Sequence, residues 1–414
     1  MTMRTTPPDS ILRMAILDDW NGDVWYGEGT VTPSGITGWQ KWPAYECPWG
    51  GNDYFSVWWA NDLSVASRRL GPDRHLIWLA LKEDTDFWYI MYQKSADEGQ
   101  TWSAPIALDA TTAKWDIFGW LRIQGSDLGE LWISYLFYPD VGPEGIRVWR
   151  SADNGTTWDQ VATLPLGYES DLQIDNSGRV YNTGKDSVNF VEFWTWYSDD
   201  HGVSWVGPYT LTPVGEDDWV EYMKTELDDA DTLHCMCKYH PIGGGPVAYN
   251  CPVHYNWNAM AGEGPHQIHD KKLAFFSFVP TFAFAGDDVY AFWFDDVGKE
   301  GGYLHNLWFS YSSDRGLNWS NQILLSEDSP NEWGIPETDQ GSPACFVKDG
   351  IACYVCAATD KDMHDPPGFI AFITADKGGT WVQDFFQEWD SPWFHQAVAS
   401  YFSARPSQTQ YFLA

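Results

Sequence analysis

Five copies of one eight-residue pattern, Ser/Thr-x-Asp-x-Gly-x-x-Trp, run through the chain: Ser95 to Trp102, Ser151 to Trp158, Ser198 to Trp205, Ser312 to Trp319 and Thr374 to Trp381. The pattern calls for a hairpin turn. A short hydroxyl and a carboxylate cap backbone N–H groups, a glycine takes positive φ, and a Trp anchors the turn in apolar surroundings. Successive aspartates, Asp97, Asp153, Asp200, Asp314 and Asp376, are 56, 47, 114 and 62 residues apart. Because 114 is twice 57, one repeat between Asp200 and Asp314 keeps its length but has lost its motif. A period of about 50 to 60 residues points to propeller blades or solenoid units.

Within one period the chain reads strand, turn, strand, turn, strand, motif, strand. The second repeat predicts strands over 116–124, 130–137, 145–150 and 158–164, rich in aromatic and β-branched residues between Gly, Asp, Asn and Pro. The same frame fits 76–82 and 87–93 in the first repeat, 289–294 and 306–311 in the fifth, and 220–225, 233–239 and 247–254 in the repeat without a motif. No amphipathic helix pattern stands out. Four antiparallel strands repeated radially make an all-β chain with the architecture of a β-propeller.

We read residues 1–414 as a single propeller domain. Residues 52–390 hold six blades, and strands 11–17 and 23–31 within 1–51 pair with 397–403 and 408–413 within 391–414 to complete a seventh. A blade shared by both termini locks the ring and hides its edges. The alternative is six blades plus an N-terminal extension.

The chain carries 58 Asp and Glu against 24 Lys and Arg, a net charge of −34. That balance argues against nucleic-acid partners, and no apolar run approaches the roughly 18 residues of a membrane span. The N-terminus shows no secretory h-region. These features are compatible with a virion or extracellular surface and with the cytoplasm. Seven cysteines without paired Cys-x-x-Cys knuckles read as buried thiols, and His266 and His269, three apart on a loop, read as surface histidines, so no metal and no cofactor is expected.

The five motifs resemble the Asp boxes of the sialidase-like, or BNR-repeat, propellers, over roughly residues 52–385. The resemblance implies a propeller with the boxes on its outer rim, so Asp97, Trp102, Asp153, Trp158, Asp200, Trp205, Asp314, Trp319, Asp376 and Trp381 are expected to be structural. It does not by itself fix an activity. Sialidases of the family also carry an Arg-Ile-Pro segment, an arginine triad, an acid/base Asp and a Tyr-Glu pair. This chain has no Arg-Ile-Pro. Of its eleven arginines, Arg147, Arg150 and Arg315 lie in or beside motif turns, Arg68, Arg69 and Arg74 cluster together, and Arg179 is isolated. Arg122 is the best central candidate.

In propellers the innermost strands and the loops leading into them line the centre. Six of seven such segments place a carboxylate or histidine beside an aromatic, which suits sugar hydroxyls and sugar faces. The candidate catalytic groups are Asp53, Asp116, Glu169, Asp171, Glu221, Tyr222, Asp339 and His395. Trp115, Arg122, Trp219 and Trp393 are the candidate glycan-binding groups. The expected function is a non-enzymatic recognition or assembly module that meets a glycan or protein partner on a larger assembly such as a virion. The alternative is a glycoside hydrolase or polysaccharide lyase using the central carboxylates.

Overall fold

The computed structural model describes residues 11–18, 23–46, 55–56, 63–67, 72–82, 87–112, 116–126, 129–165, 167, 169–186, 191–212, 219–240, 251–257, 266–267, 281–295, 304–325, 335–336, 344–348, 350–358 and 368–388. Regular structure among them is entirely β. An N-terminal sheet holds β1 (Ile11–Asp18), β2 (Asp23–Thr32) and β3 (Gly35–Tyr45). The first blade holds β4 (Phe55–Ser56), β5 (Leu63–Ser67), β6 (Arg74–Lys82), β7 (Phe87–Ser95) and β8 (Ile106–Ala110), with both β4 and β5 pairing β6. Next come β9 (Ile117–Gly125), β10 (Leu131–Tyr138), β11 (Gly145–Ser151) and β12 (Asp159–Leu164), then β13 (Asp171–Ile174), β14 (Val180–Lys185), β15 (Phe193–Ser198) and β16 (Val206–Thr210). The blade without a motif has β17 (Trp219–Leu227), β18 (Leu233–His240), β19 (Cys251–Trp257) and β20 (His266–Gln267). The fifth has β21 (Thr281–Ala285), β22 (Asp288–Asp295), β23 (Leu304–Ser312) and β24 (Ile323–Leu324), with β25 (Ile335–Pro336) also on β23. The sixth has β26 (Ala344–Lys348), β27 (Ile351–Ala358), β28 (Gly368–Thr374) and β29 (Val382–Glu388).

Each blade is an antiparallel meander in chain order, and the first strands of neighbouring blades touch in succession from β5 through β9, β13, β17 and β21 to β26. This is a propeller of six four-stranded blades. The N-terminal sheet completes the circle. Leu12, Met14 and Ile16 pack with Phe346, Cys353 and Val355 of the sixth blade, while Ala15, Val24 and Tyr26 pack with Leu76, Trp78 and Met91 of the first. The backbone N–H of Ile36 on β3 donates to Asp384 Oδ2 on β29 at 2.6 Å. The described residues hold the N-terminal half of the expected shared blade, and the six complete four-stranded blades match the six-blade alternative. All three strands of this sheet come from the N-terminus, as in the six-blade alternative, and 397–403 and 408–413 lie outside the described residues. The third strand, β3, escaped the sequence reading because Gly35, Gly38 and Pro43 interrupt its pattern.

The five motif turns join the third and fourth strands of their blades. In the first, Ser95 Oγ accepts from Gly99 N at 2.8 Å and donates to Asp97 Oδ1 at 2.8 Å, and Asp97 accepts from the N–H and hydroxyl of Thr101. The same bonds recur in the other four, with Asn318 replacing the hydroxyl in one. The residue before each glycine, Glu98, Asn154, His201, Arg315 or Lys377, also has φ near 60°. Two consecutive left-handed residues aim the N–H groups at the capping side chains. Every turn glycine docks on the preceding sheet. A Cβ on Gly99 would lie 2.3 Å from Tyr26, on Gly155 1.7 Å from Tyr92, on Gly316 2.3 Å from His254 and on Gly378 2.4 Å from Phe309, and Gly202 faces Val161 and Trp132. The motif Trp packs on the same neighbour, edge-on for Tyr26–Trp102, Tyr92–Trp158, His254–Trp319 and Phe309–Trp381. These turns thus plug one sheet into the next.

Candidate functional site

Three adjacent first strands share an unusual feature. Apart from the motif turns and Asp231 in the β17–β18 turn, the non-glycine residues with positive φ among the described residues are Trp120 on β9 (51°), Glu169 just before β13 (64°) and Tyr222 on β17 (54°). Trp120 lies within the register shift between β9 and β10, and Tyr222 within the shift between β17 and β18. A bulge re-aims side chains, and a left-handed non-glycine residue costs roughly 1–3 kcal/mol that the surrounding fold must offset. Such strain concentrates at binding and catalytic sites.

The side chains these strands carry form one charged cluster. Asp171 Oδ1 lies 3.3 Å from Arg122 Nε, its Oδ2 lies 3.4 Å from Lys224 Nζ, and the N–H and hydroxyl of Thr225 donate to Oδ2 at 2.9 Å each. Asp171 is 1% exposed, whereas Arg122 is 19% and Lys224 27% exposed. The carboxylate sits beneath, and the two cations straddle it toward solvent. Two residues earlier, Glu169 Oε2 accepts from Met223 N at 3.0 Å, and its Oε1 lies 3.9 Å from Lys185 Nζ. Glu221 lies 4.0 Å from Lys238, whose buried ammonium is 5.4 Å from the Tyr222 ring centroid.

Burial alone would raise both carboxyls, and the neighbours decide the outcome. Burial pushes Glu169 up, with the nearby Glu221 adding to it, and Lys185 and the Met223 N–H only partly offset them. Burial acts on Asp171 in the same sense, but Lys224, Arg122 and the Thr225 donors outweigh it and hold that carboxyl below its ordinary value. Two carboxyls two residues apart therefore differ in protonation tendency, the pattern by which one site holds both an acid and a carboxylate.

Of the sequence candidates, Arg122, Glu169, Asp171, Glu221 and Tyr222 come together here. Asp116 does not join them: its carboxylate accepts from Asp140 N at 2.9 Å and Thr112 N at 3.3 Å, bracing loops. Trp219 begins β17, and only its backbone is described; Asp53, Trp115, Asp339, Trp393 and His395 lie outside the described residues. Arg74 is a buried strand residue donating to Tyr26 Oη at 3.0 Å, and Arg147, Arg150, Arg179 and Arg315 pair with Asp109, Glu130, Asp199 and Asp287. Sequence reasoning missed Lys185, Lys224 and Lys238. Two of them sit on second strands, which the search along lead-in segments passed over. Lys224 was within reach, five residues beyond Trp219 on the same strand. Cys235, Cys237, Cys345, Cys353 and Cys356 are buried.

No known protein family and no curated protein matches the chain by sequence. Solved structures do match. An ulvan lyase of a polysaccharide lyase family, bound to -[GlcA(1-4)Rha3S]-, aligns at a TM-score of 0.51 and 10% identity, covering 92% of this chain and 90% of that one. The α-L-arabinanase of Penicillium chrysogenum aligns at 0.46 and 14%, covering 64% and 79%. The NanB sialidase of Streptococcus pneumoniae aligns at 0.45 and 9%, covering 93% and 86%. At these identities the likeness concerns the fold.

Proposed function

We propose that the protein is a glycan-recognition propeller whose ligand rests on the inner strands β9, β13 and β17, with a carboxylate- or sulfate-bearing sugar as the preferred ligand. The observation that carries this reading is the pair of partly exposed cations, Arg122 and Lys224, over the buried carboxylate of Asp171. These three groups sum to one positive charge, on a chain whose net charge is −34. Nearby Trp120, Glu221 and Tyr222 offer the ring faces and hydrogen-bond acceptors that sugars need. The ulvan lyase, solved with an acidic disaccharide unit, is a solved neighbour consistent with this ligand class. The test is binding of neutral, uronate-containing and sulfated oligosaccharides. Arg122→Gln and Lys224→Gln should each weaken acidic ligands by roughly tenfold or more, and flatten the salt dependence. Equal affinity of wild type and both variants would remove the site from this region.

A second reading, cleavage, is favoured by the opposed carboxyls of Glu169 and Asp171. Here Glu169 carries the proton and Asp171 stays ionised beside its cations. A polysaccharide panel assayed for reducing ends and unsaturated uronate separates the two readings. Release that vanishes in Glu169→Gln, with binding retained, establishes catalysis; absence of release across the panel leaves recognition. We place the recognition surface on a larger assembly such as a virion, consistent with the acidic exterior. Detection in purified particles is the check, and a monomer found only free in cytosol counts against it.

A further inference from the structure

The blade that lacks a motif contains a second polar cluster, which begins three residues beyond Thr225, the donor to Asp171. Asp228, at the end of β17 and 1% exposed, accepts through Oδ1 from Ala230 N and Thr232 N. Its Oδ2 lies 3.2 Å from His234 Nε2 and 3.4 Å from Arg315 Nη1. His234 Nδ1 in turn lies 3.1 Å from His254 Nε2, with the two rings stacked at 5.1 Å and both fully buried. Phe284 closes the apolar side, 4.2 Å from the His234 ring. His254 is the side chain beneath Gly316 and Trp319 of the next blade's motif turn. The corresponding supports in the other described turns are Tyr26, Tyr92, Trp132 and Phe309, none of which ionises as an imidazole does.

Proton counting makes this seam different. Two imidazoles have four ring nitrogens, and one N–H···N bond between them requires that one of the facing nitrogens be bare. The folded pair thus holds at most three ring protons. A fourth sets two N–H groups against each other at 3.1 Å, in a buried pocket where the charged groups among the described residues are Asp228 and Arg315, with Asp229 and Asp287 acting on the latter, and where His266 is the register partner of His254 on β20. The released pair accepts all four below a pH of about 6.5. His75 offers a contrast: it bonds Tyr92 Oη at 2.8 Å, and a phenol oxygen accepts from a protonated imidazole without conflict.

We propose that the seam between β17–β20 and the following motif turn is an acid-opened joint. The second added proton on the His234–His254 pair breaks the bond between the rings, displaces His254 from beneath Gly316 and loosens the 312–319 turn. Stability of the joint falls as pH drops, because the open state binds one more proton than the closed one.

The test is hydrogen exchange on the intact chain, comparing protection of Gly316 and Asn318 N–H with that of Gly155, Thr157, Gly378 and Thr380. Below a pH of about 6, protection in the 312–319 turn should fall by roughly tenfold per pH unit relative to the other turns. His254→Phe, which copies the Phe309 support, should abolish the fall while keeping the turn protected at neutral pH. Equal pH response of all the turns in the wild-type protein overturns the proposal, as does an unchanged fall in His254→Phe. Should that variant not fold, the comparison among wild-type turns decides alone.

Discussion

At the residue scale, the same carboxyl chemistry serves opposite ends. The N–H and hydroxyl of Thr157, joined by Ser151 and Thr156, hold the exposed Asp153 carboxyl at about 2. A carboxyl lowered on folding stabilises the folded chain above its unfolded value, and that contribution disappears as pH falls through the folded one. Glu169, raised chiefly by burial, behaves in reverse: its contribution is present at low pH and is lost as pH rises through its folded value. A carboxyl titration by NMR should find Asp153 titrating near 2 and Glu169 above the ordinary glutamate range. In Thr157→Val, which removes the hydroxyl donor and keeps the N–H, the Asp153 value should rise. An Asp153 that titrates like a free aspartate in the wild type would contradict the turn geometry. The motif aspartates were legible as structural from the sequence because each holds the same place in an eight-residue turn pattern that recurs five times. The roles of Asp116 and Asp171 were not legible, since both are aspartates in lead-in segments, and only their donors distinguish a loop brace from a site carboxylate.

At the scale of elements, each motif turn carries two kinds of information. The hydrogen bonds inside it are local and follow from eight residues. What the glycine and the Trp touch is supplied by another blade. Gly155→Ala must accommodate a Cβ 1.7 Å from Tyr92 Oη at a φ of 81°, whereas Gly38, at φ 65°, has nothing within 4 Å. The first substitution should cost about 2–4 kcal/mol, combining backbone strain and overpacking, and Gly38→Ala about 1 kcal/mol from strain alone. Chemical denaturation of the two variants checks this, and similar losses would mean that the turn does not bear on the preceding sheet. Strand positions in the second repeat were read to within two residues, because period-two alternation and flanking turns mark them. The bulges at Trp120 and Tyr222 left no such mark, being responses to pairing partners rather than to local propensity.

At the scale of the whole molecule, the ring is held shut between its N-terminal sheet and its sixth blade. Asp384 Oδ2 accepts the Ile36 N–H, and Gly35 is the residue that lets it approach, since a Cβ there would lie 2.7 Å from that oxygen. Asp384→Ala should destabilise the fold by about 1.5–3 kcal/mol, the range for a hydrogen bond to a charged group. Exchange protection should fall first across β1–β3 and the sixth blade, and a uniform loss over all blades would argue that closure lies elsewhere. A propeller whose blades contact only their neighbours transmits such damage from the seam outward.

What the sequence by itself determined is the repeat: the motif count, the blade period and the all-β class. These are local properties, set by turn chemistry and side-chain alternation over fewer than ten residues at a time. Only the tertiary structure decided that an N-terminal sheet completes the circle, that cations from second strands join Arg122 around the central carboxylates, and that one motif turn rests on a histidine pair. Each of these depends on which side chains meet across sheets far apart in the chain, and burial and pairing, which govern charge, exist only once those sheets have met.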